Sequence, residues 1–213
     1  MKNIREIVSP RLDEVTETFQ RTNWDQKEIY ANWLAQSYYY VCHSTRLLAA
    51  AASRFGVDRD QYHTQLTQHI HEERFHERIA IADLKKLGES ITNFPELTST
   101  KSLYRSTYYL IDRVHPVCFY GYVFYLELLP QLGGKRVIEI VQDAHGKNTT
   151  KFIEVHVNED PGHVQTYFDL LETMPSEEKK LVLEGFFSAH DNYQAMMKEI
   201  QLAKRLQSKS KAA

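Results

Sequence analysis

Apolar residues recur along the chain at intervals of three and four positions, which is the period of an amphipathic α-helix. The 8 glycines and 6 prolines are spaced widely enough to leave long periodic segments uninterrupted. No segment has the strict alternation of apolar and polar residues that is typical of a half-buried strand. The pattern predicts an all-α protein with helices over residues 10–20, 24–54, 59–88, 101–131, 134–145, 148–174 and 177–206.

The length of 213 residues, with 42% hydrophobic and 25% charged residues, is typical of one globular domain. A formal net charge of −2 provides no concentrated positive surface for a nucleic acid or an anionic membrane. The sequence has neither a membrane-spanning stretch of roughly 18 apolar residues nor a signal peptide. Two cysteines, Cys42 and Cys118, are too few for a disulfide framework. We expect one domain over residues 1–213 in the cytoplasm, with residues 204–213 as a frayed end.

The predicted helix over residues 59–88 carries polar residues on its apolar stripe. Glu73 falls at the centre of that stripe, and His76 lies one turn further on, so both side chains can reach one point between helices. This E-x-x-H spacing is typical of metal ligands on a helix, although a solvated charged face is the simpler alternative. The stripe itself consists of Leu66, Ile70, Ala80, Leu84 and Leu87.

A second polar residue interrupts the segment VCFYGYVFYLELL, which is apolar on nearly all sides and therefore predicts a buried helix. Glu127 is its only carboxylate, and no lysine or arginine lies three or four residues away. Burial of an unpaired charge is costly. Glu127 is therefore a candidate metal ligand, with a distant arginine or a protonated carboxyl group as the alternatives.

The third helix, over residues 148–174, places His156, Asp160 and His163 at spacings of four and three residues along one edge of its apolar stripe. An unbroken helix would hold the three side chains within an arc of about 60°. Pro161 and Gly162 favour a different interpretation, in which a new helix begins after Asp160 as its N-cap. The first interpretation predicts three more metal ligands.

Together the candidate ligands are three carboxylates and three imidazoles on three helices: Glu73, His76, Glu127, His156, Asp160 and His163. Carboxylates and imidazoles without thiolates favour iron or manganese over structural zinc. Two divalent ions would bring four positive charges to three carboxylates.

These same segments carry a resemblance to a known family. HIHEERFHERIAIADLKKLG, GYVFYLELL and FIEVHVNEDPGHV resemble, in that order, the three metal-binding helices of the haem-oxygenase-like di-iron oxidases, a group related to haem oxygenase and the TenA thiaminases. His156, Asp160 and His163 reproduce the family motif H-x-x-x-D-x-x-H. On the first helix, the second metal ligand beside His76 can be Glu72, Glu73 or His69. The central position of Glu73 on the apolar stripe favours Glu73.

The resemblance implies a haem-oxygenase-like bundle of about seven helices, two iron ions, dioxygen as co-substrate and oxidation of a small organic molecule. An external electron donor and a homodimer are expectations from the resemblance alone. Haem binding is disfavoured because no histidine precedes His43, for which we expect a packing role. Two alternatives remain: a TenA-like thiamin-related hydrolase with Cys118 as nucleophile, and a non-catalytic ligand-binding protein of the same fold.

Overall fold

The computed structural model describes residues 4–211, except for the side chains of residues 159–163, 166 and 204–211. The described residues form ten α-helices and no strand, which confirms the predicted all-α class. The helices are α1 (Ile4–Arg21), α2 (Lys27–Val41), α3 (Ser44–Ala52), α4 (Asp60–Glu72), α5 (His76–Lys86), α6 (Thr98–Tyr109), α7 (Cys118–Leu129), α8 (Lys135–His145), α9 (Lys151–Thr173) and α10 (Ser176–Lys211).

Three of the predicted helices are each divided in two, and this division corrects the predicted number of seven. A turn at Cys42 and His43 separates α2 from α3. A second break separates α4 from α5, and a π-helical turn over Leu110–Val114 ends the segment that begins with α6. α1 begins at Ile4, earlier than the predicted residue 10, and contains Pro10. The bounds of α8 and α9 and the start of α10 lie close to the prediction.

The centre of the molecule is α7, which is buried on nearly every side, as its apolar sequence predicts. It packs against α9 and α10. The helix α5 packs against α2, and α4 packs against α3. Both α5 and α7 pack against α9, so the three elements with the predicted metal ligands lie around one interior. Within the described part of the chain, no helix has the length and apolar character of a transmembrane span.

Candidate metal centre

The first predicted ligand pair lies at a break between two helices, so the prediction of a continuous helix over residues 59–88 was wrong. α4 ends at Glu72, Glu73 follows as its C-cap, and His76 begins α5. Between Ile70 and Ile79 the sequence has one apolar residue, Phe75. Little apolar burial is therefore available to hold a helix together through this stretch.

One group of donor atoms joins α4 to α7. The Nε2 atom of His69 lies 3.2 Å from Oε1 of Glu127 and 3.6 Å from Oε1 of Glu73. The side chains of His69 and Glu127 are only 8% and 7% exposed. The three ligand atoms lie within 4.8 Å of one another, close enough to hold a single metal ion.

A second group joins the same turn to α9. The Oε2 atom of Glu73 lies 3.7 Å from Nδ1 of His76, and the rings of His76 and His156 are 4.9 Å apart between centroids. One ligand atom from each of Glu73, His76 and His156 again lies within 4.8 Å of the other two. Glu73 therefore belongs to both groups, with one carboxylate oxygen facing a histidine of each.

The electrostatics of the metal-free centre are those of an ion pair. Burial by itself would lower the pKa of His69, but hydrogen bonds to Glu127 and Glu73 outweigh burial and raise that pKa to about 10. Burial by itself would raise the pKa of Glu73, but the hydrogen bond from His69 leaves it below its usual range. Without metal, a proton on His69 therefore offsets part of the negative charge of the two carboxylates.

Hydrogen bonds at Nδ1 orient the rings of His156 and His69. Nδ1 of His156 lies 2.7 Å from the carbonyl oxygen of Phe152. A carbonyl can only accept, so Nδ1 is the donor and the Nε2 lone pair remains available for a metal. Nδ1 of His69 lies 3.0 Å from the hydroxyl of Tyr167, whose pKa burial raises well above its usual value. Tyr167 therefore stays neutral and can orient the His69 ring.

The side chains of two predicted ligands, Asp160 and His163, are not among those that the structure describes. The backbone nevertheless forms one helix over Lys151–Thr173. The alternative in which a new helix begins after Asp160 is therefore not adopted.

A cavity of about 100 Å³ adjoins the two groups. Glu73, Glu127 and His156 line one part of it, and the remaining wall is mostly aromatic and aliphatic. No lysine, arginine or aspartate is among the described residues that line it. The other lining residues are Phe19, Trp24, Trp33, Tyr40, Val41, Ser44, Leu48, Phe119, Tyr122, Val123, Leu126, Leu129, Pro130, Gly134, Val137, Phe152, Ile153 and Tyr193.

Cys118 and His43 are not among the described residues that line the cavity. Cys118 is 1% exposed, and burial raises the pKa of its thiol to about 11. His43 stacks on Tyr104 with ring centroids 3.8 Å apart and shares a hydrogen bond of 3.2 Å with Tyr108. The predicted packing role of His43 is confirmed.

Sequence reasoning treated His69 and Glu73 as competitors, whereas the structure brings both of them to the centre. Glu72 is exposed and belongs to neither group. A signal was present in the sequence, because His69 and Glu73 are spaced by four residues. That spacing places the two side chains on one face of α4 and its C-cap.

Comparisons with known proteins identify a family. A family model for iron-containing redox enzymes matches residues 31–195. Among functionally curated proteins, no sequence matches the chain significantly.

The fold is shared with solved structures of low sequence identity. A domain of unknown function from Shewanella denitrificans, with a heme oxygenase-like fold, superimposes with a TM-score of 0.85 at 17% identity, over 98% of this chain and 96% of that one. A TenA homologue from Pseudomonas syringae gives 0.72 at 11% identity, over 93% and 90% of the two chains. A TenA homologue from Pyrococcus furiosus gives 0.66 at 15% identity, over 92% and 98%. The predicted haem-oxygenase-like fold is confirmed.

Proposed function

Because the chain belongs to the family of iron-containing redox enzymes, we propose that it is a non-haem di-iron oxidoreductase that uses dioxygen to oxidise a small, mostly apolar organic molecule. The observation that carries this proposal is the sharing of Glu73 between two groups of donor atoms. A carboxylate has two oxygens and can contact two cations at once. Two separate structural ion pairs would not need a shared residue.

In this proposal His69, Glu127 and Glu73 hold one iron ion, while His76, His156 and Glu73 hold the other. Asp160 and His163 are proposed, from the sequence motif alone, as further ligands on α9. Imidazole and carboxylate donors suit Fe(II) as well as Mn(II), and the membership in an iron-containing family favours iron.

When bound, a pair of reduced irons supplies the electrons that activate dioxygen. The protein's own contribution is to position the ligands and exclude water. Tyr167 and the carbonyl of Phe152 orient two of the histidine rings. The buried apolar helix α7 keeps bulk water from the carboxylate of Glu127.

The cavity favours an uncharged or weakly polar substrate. A cationic or strongly anionic group far from the irons would find no oppositely charged side chain among the described lining residues outside the centre. The hydroxyl of Tyr122 is buried without a hydrogen-bond partner among the described residues, so we propose that it bonds one polar atom of the substrate.

A hydrolase that uses a cysteine nucleophile is disfavoured by the state of Cys118. Its raised pKa keeps the thiol protonated near neutral pH, and the thiolate is the reactive form. Cys118 is also not among the residues that line the cavity.

Oxygen consumption tests the proposal. Protein loaded anaerobically with Fe(II) is mixed with dioxygen and ascorbate, with and without medium-chain aldehydes and substituted naphthalenes as apolar probes. We expect consumption by the wild type and a loss of at least tenfold in His156→Ala. The matched control is His71→Ala, because His71 is exposed and two residues from His69. Equal consumption by all three proteins, or no iron uptake by the wild type, would overturn the proposal.

A further inference from the structure

A basic cleft lies on the protein surface at the break between α4 and α5. It is formed by the turn, by the outer face of α5 and by the first residue of α9. The lining residues are Arg74, Phe75, Arg78, Ile79, Ala82, Asp83, Lys86 and Lys151.

The cleft is positive although the whole chain is slightly negative. Four cations and one carboxylate line it, a local excess of three positive charges against a formal net charge of −2 for the chain. The carboxylate, Asp83, is buried and pairs with Lys86 at 3.0 Å. Nε of Arg78 lies 3.6 Å from Oε1 of Glu77. Arg74 and Lys151 have no ion-pair partner among the described residues. The exposed charge of the cleft is therefore available to an acidic partner.

Phe75 adds an exposed aromatic ring at the edge of the cleft. Its backbone is left-handed, with φ of 76°, which is uncommon for a residue other than glycine. Phe75 is 46% exposed, and the guanidinium carbons of Arg74 and Arg78 lie 4.9 and 4.0 Å from the centroid of its ring. Aromatic residues and arginines are enriched in protein interfaces.

The cleft is next to the candidate metal centre. Phe75 lies in the chain between Glu73 and His76, which belong to that centre. On the other side, Lys151 begins the helix that carries His156. A redox group bound in the cleft would lie beside the two chain segments that supply metal ligands. A short distance between redox groups favours electron transfer.

We propose that this cleft is the docking surface for a small acidic electron-transfer protein of the ferredoxin type, an inference that rests on the proposed function. Each reduced ferredoxin would give up one electron and reduce one Fe(III) to Fe(II), so two ferredoxins reduce the pair. Redox encounters of this kind have small interfaces, below about 1,200 Å². Their association depends on complementary charge and therefore weakens with salt.

Direct binding tests the proposal independently of activity. The probe is an acidic ferredoxin with a two-iron, two-sulfur cluster, titrated by calorimetry into the iron-loaded protein and into the protein as purified. We expect binding that weakens at high salt and is roughly tenfold weaker in the double variant Arg74→Glu, Arg78→Glu. The matched control reverses the charges of two exposed residues on α8, Lys135→Glu with Arg136→Glu. This control should bind ferredoxin like the wild type.

A second readout compares electron sources. In the Arg74→Glu, Arg78→Glu variant, ferredoxin-driven oxygen consumption should fall at least tenfold more than ascorbate-driven consumption, with the helical circular-dichroism spectrum retained. Equal binding by both double variants would overturn the docking surface. Binding to phosphatidylserine vesicles but not to ferredoxin would also overturn it. A protein that takes up no iron overturns the proposed function instead, and the binding titration still decides whether the cleft accepts the ferredoxin.

Discussion

Glu73 links the two groups of donor atoms because its carboxylate oxygens face different histidines. Oε1 approaches His69, and Oε2 approaches His76. In the metal-free protein a proton on His69, whose pKa is raised to about 10, offsets part of the negative charge of this carboxylate and Glu127. A metal ion must displace that proton, since a ligating imidazole is neutral.

Metal binding should therefore release a proton from His69. The apparent affinity of the wild type for Mn(II), a probe that does not oxidise readily, should rise by up to about tenfold per pH unit between pH 6.5 and 10. Calorimetry in two buffers of different ionisation enthalpy would measure the released proton. His69→Ala should show a weaker dependence, and a pH-independent affinity of the wild type would contradict the raised pKa.

The same shift affects the stability of the metal-free fold. The pKa of His69 is higher in the folded state than its ordinary value of 6.5. Its stabilising contribution is therefore complete below about pH 6.5 and is lost as the pH rises through about 10.

At the scale of the elements, α9 is positioned by a contact from a distant helix. Oδ2 of Asp83, on α5, accepts a hydrogen bond of 2.7 Å from the backbone N–H of Phe152, in the first turn of α9. That N–H has no partner within its own helix. Asp83 thus fixes the start of the helix that carries His156, although burial raises the pKa of its carboxyl group.

Replacing Asp83 by alanine should leave the buried N–H of Phe152 without its acceptor. We expect a loss of about 1–3 kcal/mol in the free energy of unfolding, measured by urea denaturation. Asp83→Asn keeps an acceptor oxygen and removes a buried charge, so its stability should lie much closer to the wild type. Equal losses in the two variants would contradict the capping role.

At the scale of the whole molecule, two glycines allow α7 and α10 to cross closely. A Cβ atom at Gly121 would overlap the carbonyl oxygen of Val182, and one at Gly185 would overlap the carbonyl oxygen of Cys118. The helix α7, which carries Glu127, therefore contacts the backbone of α10 directly.

A methyl group at this crossing should push the two helices apart. A Gly→Ala substitution at an exposed helical position normally raises the free energy of unfolding by up to about 1 kcal/mol. Gly185→Ala should instead lower the free energy of unfolding by about 1–3 kcal/mol. Thermal unfolding would measure the difference. Glu184→Ala, at the neighbouring exposed position, should change stability by less than about 0.5 kcal/mol, and a Gly185→Ala variant as stable as this control would contradict the close crossing.

The sequence was most informative where a polar residue interrupts an apolar pattern. Glu127 could be identified because a lone carboxylate on a buried helix needs a partner. The break after Glu72 has only a weak signal in the sequence, the scarcity of apolar residues between Ile70 and Ile79. The cap from Asp83 to Phe152 joins residues 69 positions apart, and local periodicity contains no information on such a contact.

Iron content tests the central claim most directly. Wild-type protein and the variants Glu73→Ala, His69→Ala and His76→Ala are loaded anaerobically with Fe(II), desalted and analysed for bound iron per chain. A shared Glu73 predicts about two irons in the wild type, nearly none in Glu73→Ala, and intermediate content in each histidine variant. Full iron content in Glu73→Ala, with its fold intact by circular dichroism, would contradict a centre built on this carboxylate.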